Sequence, residues 1–255
     1  MSRSVGLVVP AFRPDVEVLS TYIDNLASDV GPDVIRVEID DPDEATLERL
    51  SETRAEIHTA ERRRGKGAAV TFGFEQMDTD VLAFADADAS TPASSIADVI
   101  EPVTAGEADL GIGSRRHPAA DIRSHQSVLR QRLGDGFAWL ARRVLDVQLY
   151  DYQCGAKAIS SEAWNTLRNH LYEPGFAWDI ELLAMAGALD CRIVEVPVTW
   201  NDHPESTVDP MQAVPELLGA LVSARHRAKR LQGNPLHETI ASHRADRVPL
   251  IGRSS

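Results

Sequence analysis

The sequence has very little lysine. Only Lys66, Lys157 and Lys229 stand among 26 basic residues, the rest being arginine, against 39 aspartates and glutamates and a formal net charge of −13. A field of that sign excludes general nucleic-acid binding through a basic surface. It suits a salt-adapted organism, because an acidic surface holds water and repels its neighbours in concentrated salt; high-GC codon usage gives the same arginine-for-lysine skew. Cysteine is scarce too. Cys154 and Cys191 have neither zinc-site spacing nor the look of a disulfide framework. No run approaches the roughly 18 to 20 apolar residues of a membrane span, and the stretch from Leu217 to Val222 is too short. The opening MSRSVGLVVPAF lacks the long apolar segment of a signal peptide and runs straight into a strand. The expectation is a cytoplasmic protein, with at most peripheral contact at the inner face of the cell membrane.

What is present is a core. Hydrophobic residues make up 43% of 255 residues, enough for one large α/β domain or two small ones, with no internal repeat or low-complexity block. Val5 to Val9 reads as a buried strand stopped by Pro10, and Val18, Tyr22 and Leu26 recur at helical spacing behind it. Val34 to Ile39 is a second strand ending at Asp40 and Asp41, with a helix opening near Asp43 and a third strand from Ile57 to Ala60. GKGAAVTFGFEQM opens another helix, and Asp80 to Ala85 is a fourth strand. A helix runs from Thr91-Pro92 to about Val103, and ADLGIG is a fifth strand. This alternation predicts a doubly wound, mostly parallel sheet. In such sheets ligands gather at the carboxyl ends of the strands, where Pro10, Asp40, Asp41, Asp86, Asp88 and Ser114 all fall.

The second half predicts a long amphipathic helix from Val128 to Leu145, a polar-then-extended DYQCGAKAIS, and a helix from Asp179 to Ala188. An extended Cys191 to Trp200 is broken by Pro197, and a helix from Ala213 to Leu231 ends in ARHRAKR. Residues 233–255 read as a loose polar tail. The domain is expected to span 1–232, with halves of about 1–116 and 117–232.

Several motifs carry chemistry, each beside a plainer reading. In VLAFADADAS, Asp86 and Asp88 are two apart, and on an extended strand such side chains face the same way. Together they suit a hard divalent cation, Mg or Mn, that completes its shell with water and phosphate; the plainer reading is a solvated strand end. RRRGKGAA offers glycines and cations before a helix start, suited to phosphate or to nothing beyond an exposed basic turn. Arg115 and Arg116 in GSRR suit phosphate contact or surface ion pairs. Asp179 and Glu181 open a helix, where acids are ordinary dipole partners, and Trp178 reads as core or pocket wall. His117, His125 and His203 have no metal spacing and read as surface.

The ordered set VVPAF, IDD, RRRGKGAA, FADADAS-TP, GSRR, DYQCGAKAI, WDIELL and EVPVTWNDHPES resembles the inverting family 2 glycosyltransferases. The closest likeness is to the dolichyl-phosphate glucosyl- and mannosyltransferase branch, with Asp151, Gln153, Cys154, Gly155 and Lys157 forming its D-x-Q-C-G-x-K segment. It covers about residues 5–230. With the acidic composition it points to a salt-adapted archaeon. The resemblance implies a GT-A fold with a nucleotide-binding and an acceptor half. It implies that Pro10, Ala11, Phe12, Asp40 and Asp41 cup the nucleoside and that Gly65, Lys66 and Gly67 border it. Asp86 and Asp88, with Ala87 between them, would hold metal and diphosphate, and Arg115 would serve the phosphates or the acceptor. Arg116, Gln153 and Trp178 would lie on the acceptor side, and Asp179 would stand where family members that need a base place it. Arg13-Pro14 and Pro42-Asp43 depart from the family's usual Asn-Glu and Gly-Ser, and Ala89 is smaller than usual.

The expected reaction moves a hexose from a nucleotide-sugar, UDP-glucose before GDP-mannose, to a polyprenyl phosphate. A phosphate dianion needs no base; a sugar hydroxyl on a lipid-linked glycan would make Asp179 the general base. Arg225, Arg227, Lys229 and Arg230 would meet anionic headgroups or merely match the helix dipole. Two readings compete. A non-catalytic nucleotide-sugar-binding module is one. The other is a haloacid-dehalogenase-type phosphatase, which usually opens with its D-x-D strand, whereas three strands come first here.

Overall fold

The computed structural model describes residues 3–123, 128–201, 210–241 and 248–253; His125 and His203 lie outside them. The first half alternates as its sequence predicts: β1 (Val5–Phe12), α1 (Val16–Asp29), β2 (Val34–Asp40), α2 (Glu44–Ser51), β3 (Glu56–Ala60), α3 (Lys66–Glu75), β4 (Val81–Ala85), α4 (Ala93–Thr104) and β5 (Leu110–Ser114). After these come β6 (Asp121–Ile122), α5 (Val128–Val144), β7 (Ala156–Ser160), α6 (Ser161–Leu167), α7 (Trp178–Ala188), β8 (Ile193–Pro197), β9 (Thr199–Trp200), α8 (Pro210–Leu231) and α9 (Pro235–Ala241).

Seven strands form the main sheet in the order β3-β2-β1-β4-β7-β5-β8, and β6 pairs with β9 in a separate ribbon. Every pairing in the main sheet is parallel except those of β7, which runs antiparallel between β4 and β5. Both faces are covered, as a parallel sheet requires. Leu7, Val9 and Ala11 of β1 pack with Leu19, Ile23 and Ile96 from α1 and α4. Val8 points the other way, into a core with Val70, Phe74, Trp178 and Leu183 from α3 and α7. The winding reverses between β1 and β4, and the strand ends at that switch point form the crevice where such sheets take ligands.

Local chemistry sets the element boundaries. Asp15 caps α1, its carboxylate accepting from Glu17 N and Val18 N, and Asp43 caps α2 by accepting from Thr46 N at 2.8 Å. The Pro42-Asp43 departure thus has a structural use: it starts α2.

Four expectations need correction. Pro10 does not end β1. Past Val8 the strand pairs with β2 alone, and a strand edge without a ladder tolerates a missing N–H. β4 ends at Ala85, and Ala87 and Asp88 form a turn, so Asp86 and Asp88 are not set by extended-strand alternation. α6 had not been foreseen; its short SEAWNTL carries one turn of apolar spacing. The end of the chain is not loose throughout. Leu250 is buried, its N–H donating to Leu171 O at 2.8 Å, and Arg253 donates to Tyr172 O.

Candidate active site

β4 and β7 meet where the crevice opens. Because β7 is antiparallel, its beginning lies beside the end of β4, with Ala85 opposite Ala156. The D-x-Q-C-G-x-K segment is thereby laid against the D-x-D turn, and Asp86 N donates to Gly155 O at 3.0 Å. A Cβ on Gly155 would overlap the Asp86 carboxylate. Glycine at 155 is what gives that carboxylate its place.

Three charges run inward from it. Lys66 Nζ lies 2.9 Å from Asp86 Oδ1 and 3.0 Å from Asp179 Oδ2, and Lys157 Nζ lies 2.7 Å from Asp179 Oδ1. Asp179 is 0% exposed. The Lys66 ammonium also sits over the rings of Phe84 and Phe176, at 4.9 and 5.4 Å, a favourable seat for a cation. Lys157 donates to Cys154 O as well, at 2.7 Å. Two of the three lysines in the whole chain therefore serve one buried carboxylate. A compact ammonium with three rotatable donors fits a narrow apolar slot that a planar guanidinium does not.

The electrostatics follow from this order. Burial opposes the charge on Asp179, but Lys157 and then Lys66 outweigh it and hold the carboxyl below its ordinary range. Burial opposes Lys66 too, and Asp179 and then Asp86 outweigh it, keeping the ammonium firmly charged. Asp86 goes the other way. Burial raises it, Asp88 and Asp179 add to the rise, and Lys66 opposes it.

The donor set fits a divalent cation. Asp86 and Asp88 are close enough to feel each other's charge. Asp88 is exposed, and its Oδ1 accepts from Ser90 N at 2.9 Å, leaving Oδ2 free. No cluster of three or more acidic, histidine or cysteine ligands exists among the described residues. Two hard oxygen donors at an open crevice suit an ion that draws its remaining ligands from water and a substrate diphosphate.

Around this centre the foreseen residues divide. Arg115 is gripped by Asp151, Nε to Oδ2 at 2.7 Å and Nη2 to Oδ1 at 3.0 Å, and lies over Trp200. Burial works against Asp151, yet Arg115 outweighs it and drives the carboxyl far below its ordinary range. Arg116 pairs with Asp135. Gln153 donates its backbone N–H to Asp151, and its buried Nε2 has no partner among the described residues. Trp178 is wholly buried, its Nε1 donating to Thr71 Oγ1; it backs the site from the core. Ala11 also belongs to the core, while Pro10 and Ala87 are half-buried at the rim.

The glycines of RRRGKG have a different purpose from the one their motif suggests. Gly65 has φ +96°, and a Cβ on it would stand 2.6 Å from Pro174 O. Gly67 N and Ala68 N donate to Gly175 O and Pro174 O. The start of α3 is thus spent on the 173–175 loop and has no free N–H pair there for a phosphate. Asp40 is similarly occupied, accepting from Arg64 N, Arg64 Nε and Gly65 N at 2.6, 2.7 and 3.2 Å. It anchors the loop that aims Lys66 inward. Asp41 remains open, at φ +52°, paired with Arg13 at 3.0 Å. Arg63 and Arg13 flank the Phe12 ring at 4.4 and 5.1 Å. Arg63, Phe84, Asp151, Gly155 and Lys157 lay inside quoted motifs without an individual role, and none was stated for Phe176.

The basic end of α8 is also spoken for. Arg225 donates to Val144 O, Arg227 pairs with buried Glu181, and Lys229 pairs with Asp146 at 2.8 Å. Of the four cations expected to face headgroups, only Arg230 is exposed. Three of them pin α8 to its neighbours instead, through a backbone carbonyl, the buried Glu181 and the exposed Asp146. No helix among the described residues is long and apolar enough to cross a membrane.

A doubly wound sheet with an acidic pair at its switch point and a charged pocket behind it has the architecture of a GT-A fold. Residues 8–166 match the model of the glycosyl transferase family 2, and the chain belongs to that family. The match retires the phosphatase reading. Among relatives, glycosyltransferase AglD of Haloferax volcanii is 30% identical over 80% of this chain and 34% of its own length. Dolichyl-phosphate beta-glucosyltransferase of Dictyostelium discoideum is 26% identical over 71% of this chain and 57% of its own. The chain thus spans about a third to a little over half of these relatives. Among solved structures, glucosyl-3-phosphoglycerate synthase from Mycobacterium tuberculosis, in complex with Mn2+, UDP-glucose and phosphoglyceric acid, superposes with a TM-score of 0.69. It is 20% identical, over 88% of this chain and 80% of that one, a likeness that speaks for the fold.

Proposed function

We propose that this protein transfers a hexose, with inversion, from a nucleotide-sugar to a polyprenyl phosphate, UDP-glucose being the first donor to test and GDP-mannose the second. The observation that carries the choice of acceptor is the seat of Asp179. It is 0% exposed, and its two oxygens face two lysine ammoniums at 2.7 and 3.0 Å. A base must reach the proton it removes, and Asp179 lies wholly buried behind two ammoniums, its Oδ1 accepting from Lys157 and its Oδ2 ion-paired with Lys66. An acceptor that arrives ionised needs no such group. A phosphate monoester, with a second pKa near about 6, is mostly a dianion at neutral pH.

In this reading Asp86 and Asp88 hold a divalent cation, Mg or Mn, which when bound would neutralise the diphosphate leaving group. Lys66 lies beside that diphosphate and adds charge to it. Asp179 fixes Lys66 and Lys157 in place. Phe12, under its two arginines, and Asp41 form the nucleoside rim. The relatives named for dolichyl-phosphate glucosyl transfer and the UDP-glucose complex of the fold neighbour support this assignment.

The test is a donor screen in high salt. UDP-glucose, UDP-GlcNAc and GDP-mannose are each offered with Mg or Mn, with and without a short polyprenyl phosphate, and nucleotide release is measured. The expected result is release of one nucleotide, stimulated by the lipid phosphate and abolished in Asp88→Ala. Its kcat/KM should rise with pH in step with the acceptor's own second ionisation. Release stimulated only by a lipid-linked sugar would replace the phosphate acceptor with a hydroxyl. Binding without release under every condition would make the chain a non-catalytic module.

A further inference from the structure

The charges at the crevice do not balance by themselves. Asp86, Asp88 and Asp179 are three anions, Lys66 and Lys157 are the two cations paired among them, and Arg115, the next cation, is taken up by Asp151. One negative charge is left over. Adding a divalent cation alone would overshoot to net positive, in a site walled by Phe84, Phe176 and the wholly buried Trp178. Adding the cation together with the two charges of a nucleotide-sugar diphosphate restores the original balance, and free UDP, with its ionised terminal phosphate, more than offsets the cation. Geometry repeats the point. Lys66 Nζ, 2.9 Å from Asp86 Oδ1, stands against the oxygen that a metal would have to share. Gly155 closes the other side of the carboxylate, since its backbone lies where any Cβ would strike it. Asp86 has little room to turn away.

We propose that Lys66 is a built-in counter-cation that holds Asp86 until metal and nucleotide arrive together, so that divalent-cation binding is conditional on the nucleotide diphosphate. The inference rests on the reading of Asp86 and Asp88 as the cation ligands. On arrival of both, Lys66 gives up Asp86, keeps Asp179 Oδ2, and turns its remaining donors to the diphosphate. Its position allows this, because the rings of Phe84 and Phe176 support the ammonium on either path and the Gly65 turn holds its backbone against Pro174. By thermodynamic reciprocity the metal then strengthens nucleotide binding by the same factor as the nucleotide strengthens metal binding.

The experiment follows free Mn2+ by electron paramagnetic resonance as the full chain is titrated, with and without UDP, and needs no turnover. Wild type should bind Mn2+ at least about tenfold more tightly when UDP is present, and Lys66→Met should bind Mn2+ alone at least about tenfold more tightly than wild type, with the UDP effect shrunk. Methionine keeps length and apolar contact while removing the charge, and Lys157 still pairs with Asp179 in the variant. Equal Mn2+ affinity of wild type with and without UDP would overturn the proposal, even if the variant failed to fold. So would a folded Lys66→Met that binds Mn2+ as wild type does. The acceptor screen is independent: loss of transfer to polyprenyl phosphate with the Mn2+–UDP coupling intact would sink the acceptor reading and leave this one standing.

Discussion

Gly155 and Asp151 show how single residues fix the site. Gly155→Ala would force the Asp86 carboxylate out of its place. The fold should survive, because the substitution sits at the crevice rim just before β7. Mn2+ affinity in the presence of UDP should drop at least about tenfold, while circular dichroism stays that of wild type. Asp151 is a question of stability. It is 2% exposed, and its charge is held by Arg115 far below the ordinary carboxylate range. A depressed folded-state pKa contributes stability that is fully present above the unfolded-state pKa and is lost as pH falls through the folded one. Asp151→Asn leaves the Arg115 guanidinium without its counter-ion and should cost about 3 to 5 kcal/mol at neutral pH. In denaturant unfolding, the gap between variant and wild type should stay constant down to about pH 4 and close only below it.

At the scale of the element, α8 deserves a different reading from the one its composition invites. ARHRAKR looks like a basic face turned outward. In the fold, Arg227 pairs with Glu181, which is 2% exposed and also accepts from Tyr172 N and Glu173 N at 2.7 Å each. The helix is thus held to α7 by a buried ion pair. Arg227→Ala should lower stability by roughly 2 to 4 kcal/mol, because it strands a carboxylate in the core. Flotation with anionic vesicles should be unchanged by the same substitution; a loss of flotation at wild-type stability would restore the headgroup role. β7 teaches a related lesson. A strand of AKAIS says nothing of its direction, yet only an antiparallel β7 brings Gly155 and Lys157 to the carboxyl ends of its neighbours.

The whole molecule carries a net charge of −13, and its stability should depend on salt. Repulsion among exposed carboxylates is screened as the Debye length falls from about 10 Å at about 0.1 M to about 3 Å at about 1 M. The melting temperature should therefore rise by several degrees between dilute buffer and molar KCl, measured by differential scanning fluorimetry. The buried pairs Lys157–Asp179 and Arg115–Asp151 are shielded from this screening, so variants at these positions should lose about the same stability in either buffer. A melting temperature flat with salt would leave codon bias as the reason for the scarcity of lysine.

The sequence by itself determined the sheet. Alternating apolar runs and amphipathic spacing specify β1 through β5 and their helices, because burial on both faces imposes its own pattern, and the D-x-D and D-x-Q-C-G-x-K segments were visible as motifs. It also held an unread signal: lysine is so rare here that Lys66 and Lys157 were already conspicuous. Only the tertiary structure decided what those residues do. The pairings of Lys66 with Asp86 and Asp179, Lys157 with Asp179, and Arg115 with Asp151 join positions 20 to more than 100 residues apart, and no local rule sees across that distance. The glycines of RRRGKG suited a phosphate or an exposed basic turn alike, because close backbone approach has one sequence signature whatever the partner. Here the partner is the 173–175 backbone, and that became visible only when the chain had folded back upon itself.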